Sequence, residues 1–437
     1  MVPLGTPTMP LTPEQVKIVK STVPVLEQHG ETITTVFYKN MLADYPDLNN
    51  IFNTTNQING HQPRALAASV YAYAKYIDDL GVLSPAVEHI CQKHASLYIR
   101  SEQYDIVGEY LLKAMGQVLG DALTPEILEA WGVAYWQLAE IMKKREAELL
   151  DASEGWTDWR KFTITQRVQE SSEICSFYLE PTSQADSEDE PTKLPMYQPG
   201  QYISVRMPVP HLEYLQARQY SLSDAPGNYY YRISVKRERK VLDPKDVPDA
   251  KYEPGYLSNV LHDSKKVGDV IEVSHPAGEF FFDLQKVDNP DECFPVVLIS
   301  AGVGLTPMIS ILNTLTRHDA PTARSISFIH AARNTAVRAF GQHIKALTRS
   351  HSNVDSVIFI RNITEDDVQG EDYHQKGRMS LDKLDKNQQL FLNDPKTQYY
   401  VCGPGQFMTD MEDKLKSFGV DEGRINMELF GTGGLPQ

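Results

Sequence analysis

Residues 296–307 read VVLISAGVGLTP, and this stretch decides the fold of the C-terminal third of the chain. An unbroken apolar run that ends in glycines and continues into a helical pattern predicts a buried parallel strand followed by a crossover helix. Glycines at such a turn let backbone N–H groups approach a pyrophosphate, whose negative charge the helix N-terminus also favours. Pro307 stands where the third glycine of the full dinucleotide-binding fingerprint would be, so a tight turn without a ligand is the alternative interpretation.

Three more apolar runs follow this stretch and alternate with helical patterns. They are residues 325–330, 356–360 and 398–402. The alternation predicts an α/β module with a parallel sheet. The last run leads directly into a second glycine-containing turn, Cys402-Gly403-Pro404. Two such turns at the carboxyl ends of strands predict a ligand crevice at that edge of the sheet.

The middle of the chain, from Trp156 to about Asp283, has a different pattern. Short β-rich runs are separated by proline, glycine and acidic clusters, and they cover residues 162–168, 174–180, 201–207, 229–236 and 270–274. This near-regular spacing is typical of a small antiparallel β-barrel. The polar segments Ser183–Thr192 and Arg239–Glu253 are poor in aromatic residues, and we expect them to be mobile surface insertions.

The N-terminal part of the chain lacks a strand pattern and reads as helices. Helix starts are marked by a capping residue followed by proline at Thr12-Pro13, Ser84-Pro85 and Thr124-Pro125. Pro24 should kink or split the first helical stretch, and the last helix should run from about Pro125 to Leu150. The sequence therefore predicts a multidomain protein with an all-α domain at 1–152, an antiparallel β-barrel at 153–288 and an α/β domain at 289–437.

The composition of the 437 residues excludes several classes of protein. Lys and Arg total 42 against 58 Asp and Glu, and the net charge of −16 disfavours binding to nucleic acid or to an anionic membrane. The 4 cysteines are far apart, which argues against a zinc, iron–sulfur or disulfide framework and fits a reducing compartment. Prolines and glycines break the longest apolar run, residues 294–312, so we expect no membrane span. The expectation is a soluble, cytoplasmic, monomeric protein.

A further motif lies in the barrel region, where Arg218-Gln219-Tyr220-Ser221 follows Pro199-Gly200-Gln201-Tyr202. An Arg can pair with a phosphate, a Tyr can stack on a flat ring, and a Ser hydroxyl can contact a ring nitrogen. Alone, this motif would be an ordinary strand. Because the two glycine turns and then Glu428-Leu429-Phe430-Gly431 follow it in order, the C-terminal part of the chain resembles the ferredoxin reductase-like family.

This resemblance implies a barrel that binds FAD and an α/β domain that binds NAD(P)H. It implies that Arg218 holds the FAD diphosphate, that Tyr220 and Ser221 meet the isoalloxazine ring, and that Phe430 lies against the flavin where nicotinamide must arrive. The implied cofactor-binding residues are Tyr202, Arg218, Gln219, Tyr220, Ser221, Gly302, Val303, Gly304, Leu305, Thr306, Pro307, Cys402, Gly403, Pro404, Glu428, Leu429, Phe430 and Gly431.

The residue after the second α/β strand departs from the family pattern. Arg333 stands where an acidic residue would favour NADH through the ribose hydroxyls. An Arg can instead accommodate the 2′-phosphate of NADPH. The choice between the two nucleotides stays open, with a family-based preference for NADH.

In the helical region the candidate chemistry centres on His94, which falls on the apolar face of a helix. A lone histidine on such a face is most often a satisfied core or surface residue. Phe52 lies in the motif Asn-Ile-Phe-Asn, and Gln62 and Leu66 are one helical turn apart on a common face. Gln62 precedes His94 by about the number of residues that separates the distal and proximal positions of a globin. Together with Tyr38, these residues look like a haem pocket.

A globin joined to a flavin- and NAD(P)H-dependent reductase resembles the flavohaemoglobins, a family that includes the nitric oxide dioxygenases. The resemblance implies that His94 is the proximal iron ligand of haem b, and that Tyr104 and Glu146 form a hydrogen-bonded network behind it. Glu148 lies two positions further on and leaves the identity of the carboxylate open.

The same resemblance implies the residues of the distal side. Phe52 packs against the haem, while Tyr38, Gln62 and Leu66 line the pocket for small ligands. Lys93 is either a partner for a haem propionate or for the reductase, or a solvated surface charge.

The implied activity is the conversion of NO and O2 to nitrate on haem, with electrons passed from NAD(P)H through FAD. Two alternatives stay open. One is a sensor or carrier of oxygen or NO, against which the attached reductase argues, because storage needs no hydride pathway. The other is a haem-assisted NAD(P)H reductase of ferric iron, quinones or alkyl hydroperoxides.

Overall fold

The computed structural model describes residues 10–182, 194–210, 212–238, 255–286, 292–317 and 324–430. These residues form two compact units. The first holds the helical part up to Trp159 together with Arg206–Arg218, and the second holds the remaining strand-rich part up to Phe430. The two segments expected to be mobile insertions, and Gly431 of the cofactor-binding set, lie outside the described residues.

The first unit is built from helices, as the capping pattern predicts. They are α1 (Pro13–Ser21), α2 (Val23–Asp44), α3 (Thr54–Ile58), α4 (His61–Lys75), α5 (Ser84–Ser96), α6 (Ser101–Leu119) and α7 (Pro125–Asp151). Thr12 caps α1 in a reciprocal capping box with Gln15, and the Thr124 hydroxyl accepts a hydrogen bond from Ile127 N. The first helical stretch does split beside Pro24, because α1 ends at Ser21 and α2 begins at Val23.

A close approach between α6 and α7 organises the part of this unit that carries the candidate site. A Cβ built on Gly108 of α6 would lie 2.4 Å from the ring of Tyr135 on α7, so this position has room for glycine alone. The Tyr135 hydroxyl crosses the same interface and donates to the carbonyl of Tyr104 at 2.6 Å. The glycine therefore lets α6 bring Tyr104 close to α7.

The second unit begins with an antiparallel sheet. Its strands are β1 (Arg160–Gln169), β2 (Ile174–Pro181), β3 (Tyr202–Met207), β4 (Gln216–Ser221), β5 (Tyr231–Lys236) and β6 (Val270–Val273), in the order β4-β3-β6-β1-β2-β5. A bridge between Leu222 and Ile233 links the two edge strands, which curves the sheet toward a barrel. The expected run at 229–236 starts two residues late, because the chain bends through 226–230 before the strand begins.

Helix α8 (Tyr256–Asp263) precedes β6, the last strand of the antiparallel sheet. The part of the chain after β6 forms a second, parallel sheet. Its strands are β7 (Val296–Ala301), β8 (Ile326–Ala332), β9 (Val354–Ile360), β10 (Gln375–Lys376), β11 (Gln398–Cys402) and β12 (Ile425–Glu428), in the order β10-β9-β8-β7-β11-β12. The helices of this part are α9 (Leu305–Arg317), α10 (Gly341–Ser350) and α11 (Gly405–Ser417). The strand order reverses between β7 and β11, and ligands of such sheets bind outside the carboxyl ends of the strands at this switch point.

The expected fold class is thus confirmed, with an all-α first region, an antiparallel sheet and a parallel α/β sheet. Among the described residues, no helix combines the length and the apolar character that a membrane crossing requires. All 4 cysteines lie in the described part of the chain, and each is a free thiol.

Candidate functional site

Three helices of the first unit converge on the imidazole of His94. This residue lies in the last turn of α5, and its Nδ1 is 2.8 Å from Oε1 of Glu146 on α7. The hydroxyl of Tyr104, on α6, is 3.0 Å from the same Nδ1 and donates to the same Glu146 oxygen at 2.5 Å. A carboxylate that accepts from Nδ1–H fixes the tautomer of the ring and leaves Nε2 as the nitrogen that can bind a metal.

Burial strengthens this hydrogen-bonded triad. The Glu146 side chain is only 6% exposed, whereas that of His94 is 31% exposed. Burial, followed by the charge of Glu146, raises the pKa of the Tyr104 hydroxyl far above its ordinary value. Tyr104 is therefore a fixed hydrogen-bond donor at any physiological pH.

The structure distinguishes the two glutamates that the sequence left open. Glu146 faces His94 and Tyr104, whereas Glu148 is exposed and pairs with Arg145 at 3.1 Å. The carboxylate behind the histidine is thus Glu146.

A second contact between α5 and α7 was not predicted from the sequence. Arg145 donates from Nε to Oε2 of Glu88 at 2.7 Å and from Nη2 to Oε1 at 2.9 Å. The Gln92 amide also donates to Oε1 of Glu88, at 2.8 Å. Of these contacts, only the hydrogen bond from Gln92 had a signal in the sequence, because Glu88 and Gln92 are one helical turn apart on the helix that carries His94.

The distal residues of the expected pocket cluster between α2 and α4. The Gln62 amide donates to the Tyr38 hydroxyl at 3.4 Å, and the rings of Tyr38 and Phe52 meet edge to face with centroids 5.4 Å apart. Leu66 is half-buried against the same hydrophobic cluster as Tyr38 and Phe52. Burial raises the pKa of Tyr38 to about 12, so its hydroxyl stays protonated and can donate to a polar ligand.

The residues of the first unit fit a haem. The described chain contains no group of three or more His, Cys, Asp and Glu side chains that could hold a metal ion by themselves. A haem would need only one protein ligand for its iron, because the porphyrin itself supplies four nitrogens. A histidine anchored through Nδ1, with a buried tyrosine hydroxyl and a half-buried glutamine amide elsewhere in the unit, is such a donor set. Lys93 is half-buried next to that histidine.

The candidate flavin residues lie on and around strand β4. Ser221 and Tyr202 are buried, whereas Arg218, Gln219 and Tyr220 are half-buried and so accessible from one side. Arg218 donates from Nη1 to the carbonyl of Ala217 at 2.6 Å. A strand that presents Arg and Tyr on half-buried positions, with a buried Ser beside them, fits a ligand that combines phosphates with a flat ring.

The two glycine turns meet at the switch point of the parallel sheet. A Cβ on Gly304 would lie 2.3 Å from the carbonyl oxygen of Cys402, so glycine is required for the first turn to pack on the end of β11. Gly302 has a φ of +57° and, within the described chain, no atom within 4 Å of where its Cβ would be. Open backbone at this turn lets a phosphate approach, which fits a dinucleotide.

The rest of the two turns gives them a fixed shape. Gly304, Leu305, Thr306 and Pro307 are buried, and the Thr306 hydroxyl donates to the carbonyl of Val303 at 3.0 Å. In the second turn Gly403 is half-buried and Pro404 is exposed.

Strand β12 brings the C-terminal motif to the same edge of the sheet. It pairs with β11 so that Glu428 lies opposite Cys402. Burial, followed by the charge of Glu428, raises the pKa of the Cys402 thiol well above its ordinary value, so this cysteine is an inert packing residue. Leu429 packs against the sheet core, whereas Phe430 is 41% exposed at the end of the described chain.

Comparisons with known proteins agree with this architecture. The chain matches the globin family over residues 35–142 and the oxidoreductase NAD-binding domain over residues 298–413. It is 44% identical over 430 residues to the flavohemoprotein of Bordetella parapertussis, which covers 97% of this chain and 100% of that protein. It is 43% identical over 425 residues to the flavohemoprotein of Rhizobium meliloti, with 96% and 98% covered.

Two solved structures of flavohemoglobin or nitric oxide dioxygenase chains are similar to this one. The flavohemoglobin of Malassezia yamatoensis, with bound FAD and heme, superposes with a TM-score of 0.79 at 27% identity and covers 96% of this chain and 100% of its own. The flavohem-like FAD/NAD binding domain of the nitric oxide dioxygenase from Vibrio cholerae superposes with a TM-score of 0.50 at 34% identity. It covers 63% of this chain and 99% of its own.

The fold and the site define an oxidoreductase in which a globin precedes a reductase with an NAD-binding domain. The identity of 44% over nearly the full length of both chains then gives the family: this chain belongs to the flavohemoproteins.

Proposed function

We propose that this chain is an NAD(P)H-dependent nitric oxide dioxygenase that converts NO and O2 to nitrate and so removes nitric oxide. The hydrogen-bonded triad of His94, Tyr104 and Glu146, in a chain that also carries a complete reductase, is the observation that supports this most strongly. When bound, haem b would supply the iron at which O2 and NO react, and FAD would accept two electrons from NAD(P)H and release them one at a time.

The role of the proximal residues is to make His94 a strong and well-oriented ligand. Glu146 accepts from Nδ1–H, which increases the electron density that Nε2 can donate to iron. Tyr104 holds the carboxylate in place from the other side, and its high pKa keeps the proton on the phenol. Because they raise the electron density that the histidine can donate, these contacts would favour reduction of a small ligand over simple reversible binding of a gas.

The distal residues would hold and shield the small substrates. The Tyr38 hydroxyl would donate to bound oxygen, and the Gln62 amide would hold that hydroxyl in position. Leu66 and Phe52 would supply apolar walls that admit diatomic molecules and exclude larger ones. Lys93 would meet a haem propionate at the edge of the pocket.

The reductase residues would bind the two nucleotide cofactors. Arg218 would pair with the FAD diphosphate, with Tyr202, Gln219, Tyr220 and Ser221 around the flavin ring. The glycine turn at 302–307 and the turn at 402–404 would bind the NAD(P)H pyrophosphate and nicotinamide ribose. The C-terminal motif at 428–431 would place Phe430 where the nicotinamide arrives.

We also propose the domain limits 1–152, 153–288 and 289–437 for the globin, FAD-binding and NAD(P)H-binding domains. The globin and NAD-binding family matches fall inside the first and third of these ranges. The free thiols fit action in the cytoplasm. We also propose that the chain acts on small molecules and as a monomer.

Aerobic consumption of NO by the purified chain, with NAD(P)H as reductant and nitrate as product, tests the proposal. The absorption spectrum should show superimposed haem and flavin bands. His94→Ala should lose the haem band while NAD(P)H still reduces the flavin. A variant that keeps haem at full occupancy, or a loaded protein that turns over quinones or hydroperoxides but not NO, contradicts the proposal.

A pair of glutamate variants makes the test specific for the triad. Glu146→Gln should lower NO consumption roughly 10- to 100-fold while haem is retained, as is usual for residues that orient a metal ligand. Glu148→Gln, two positions along the same helix but exposed, should keep normal activity. Equal effects of the two substitutions would rule out the assignment of Glu146.

A further inference from the structure

Arg333 lies at a position of the α/β fold that usually selects the nucleotide. It directly follows β8, which is the neighbour of β7 in the sheet, and β7 carries the first glycine turn. In nucleotide-binding sheets of this order, a carboxylate near the end of the second strand binds the ribose 2′-hydroxyl of NAD, whereas an Arg accommodates the 2′-phosphate of NADP. If no other residue influenced the choice, the Arg at this position would therefore predict a preference for NADPH.

The backbone of Arg333 is fixed, so its side chain starts from a defined place. Its carbonyl accepts a hydrogen bond from Asn362 N at 2.9 Å, and the carbonyl of Ala332 accepts one from Arg361 N at 3.0 Å. The Arg333 side chain is 58% exposed. It is thus available to an incoming nucleotide.

A carboxylate from the antiparallel sheet already pairs with this guanidinium. Glu173 lies in the turn between β1 and β2, and its Oε1 is 2.6 Å from Nη2 of Arg333. The Glu173 side chain is only 21% exposed, so it is the anchored member of the pair.

The turn that carries Glu173 is docked on the loop that follows Arg333. Ser172 N donates to the carbonyl of Ala336 at 2.8 Å, and the carbonyl of Glu173 accepts from Arg237 N at 2.8 Å. The guanidinium of Arg237 is itself paired with Asp263. Glu173 is therefore held next to Arg333 by the backbone as well as by charge.

We propose that Glu173 and Arg333 together determine the nucleotide preference of this chain: Arg333 binds the 2′-phosphate, and Glu173 opposes it. Glu173 competes for the guanidinium and repels the phosphate, so NADH is the preferred reductant and NADPH is used with residual efficiency. This inference rests on the proposed function only in that the α/β domain binds NAD(P)H.

The experiment measures flavin reduction in the full-length, cofactor-loaded protein under anaerobic conditions, with NADH and NADPH in separate stopped-flow series. Glu173→Gln should raise the efficiency with NADPH about 5-fold and leave NADH within about 2-fold, the size expected for one partly exposed ion pair. Arg333→Ala should lower the efficiency with NADPH about 10-fold and also spare NADH. The effect of Glu173→Gln should shrink in high salt, because the screening length falls.

A matched control and a binding readout separate specificity from structure. Glu371→Gln, a matched substitution that removes the partner of Lys345 on α10, should change the efficiency with neither nucleotide. Inhibition by adenosine 2′,5′-bisphosphate should strengthen in Glu173→Gln, whereas inhibition by ADP should stay constant.

Two outcomes would overturn the inference: an unchanged NADPH-to-NADH ratio in both variants, or equal changes for both nucleotides, which would indicate a structural role of the pair. Flavin reduction needs neither NO nor haem, so failure of the dioxygenase proposal would leave this ratio measurable and distinct.

Discussion

Arg145 donates to both carboxylate oxygens of Glu88, at 2.7 and 2.9 Å, and so joins helix α7 to helix α5 beside the contact between His94 and Glu146. Arg145 and Glu146 are adjacent in sequence on α7, and their partners Glu88 and His94 both lie on α5. The hydrogen bonds from Arg145 lower the pKa of Glu88, which keeps the clamp charged. We infer that this clamp sets the distance between imidazole and carboxylate.

Glu88→Gln should therefore alter the haem environment without touching the ligand. The pair is about one-third exposed, so its loss should cost only about 1 kcal/mol of stability. We expect a lower iron–histidine stretching frequency in the reduced, haem-loaded protein, because the histidine loses alignment with Glu146. Lys17→Gln, which breaks an exposed pair on α1, is the control and should leave the frequency unchanged. An unchanged frequency in Glu88→Gln would mean that the pair of Arg145 and Glu88 contributes only to stability and does not position His94.

Tyr38→Phe should speed the dissociation of O2 from the reduced protein roughly 10-fold, because one hydrogen bond to the ligand is lost. In the wild type the dissociation rate should stay flat from neutral pH to about pH 10, since burial raises the pKa of Tyr38 to about 12. Laser photolysis or stopped-flow displacement measures both. Tyr73→Phe removes another buried hydroxyl, bonded to the carbonyl of Ala134, and should leave the rate unchanged. Equal rates in Tyr38→Phe and wild type would remove Tyr38 from the ligand pocket.

Gly304→Ala should abolish flavin reduction by NAD(P)H, because its Cβ would lie 2.3 Å from the carbonyl of Cys402 and force the two turns apart. Haem and FAD should still bind, which the absorption spectrum reports. Gly268→Ala is the control for backbone strain: its φ is +94°, and the described chain has no atom within 4 Å of the new Cβ. That variant should lose about 1 kcal/mol of stability and keep its reductase rate. Normal flavin reduction in Gly304→Ala would exclude the turn from the nucleotide site.

The α/β sheet should lose stability in mild acid through His330. Burial, with a smaller contribution from Arg338, lowers the pKa of His330 to about 3, and its Nδ1 lies 2.9 Å from Oγ of Ser300. Below about pH 6.5 this histidine is protonated in the unfolded chain but stays neutral in the folded chain. Its contribution to the free energy of unfolding is therefore fully present above that pH and is lost as the pH falls toward 3. Chemical denaturation of the reductase transition should show a slope of about 1.4 kcal/mol per pH unit from this residue.

The contribution of His330 can be isolated by two variants. His330→Gln should flatten the slope below pH 6.5, because the titrating group is gone. Ser300→Ala removes the hydrogen bond but keeps the buried histidine, so it should lower stability at every pH and retain the slope. A slope that survives in His330→Gln would assign the acid sensitivity elsewhere, for example to His275, whose pKa burial lowers to about 4.

The prediction of strands from the sequence was wrong or incomplete where the local pattern was weak. Strand β12 was not predicted, because its four residues are mostly half-buried and polar at Asn426, and its pairing with β11 holds it in the sheet. The strand at β9 begins at Val354 rather than Ser356, since pairing with Ile326 of β8 extends it. Long-range pairing in both cases outweighs local propensity.

The sequence predicted which residues belong to the candidate site, but not which of their side chains are in contact. His94, Tyr104 and Glu146 lie on three different helices, and no sequence spacing states that their side chains meet. The pairs Glu88–Arg145 and Glu173–Arg333 join residues far apart in the chain and carry no local signal at all. Each depends on how two elements are docked.

The sequence by itself determined the succession of helices, antiparallel strands and parallel strands, together with the two glycine turns, because hydrophobic period, capping residues and glycine conformation act over a few neighbouring residues. Tertiary structure alone decided which glutamate faces His94, that Gly304 packs against the carbonyl of Cys402, and that a carboxylate pairs with Arg333. Those contacts arise from the packing of elements distant in the chain, where a shift of one helical turn or one strand position would exchange one partner for another.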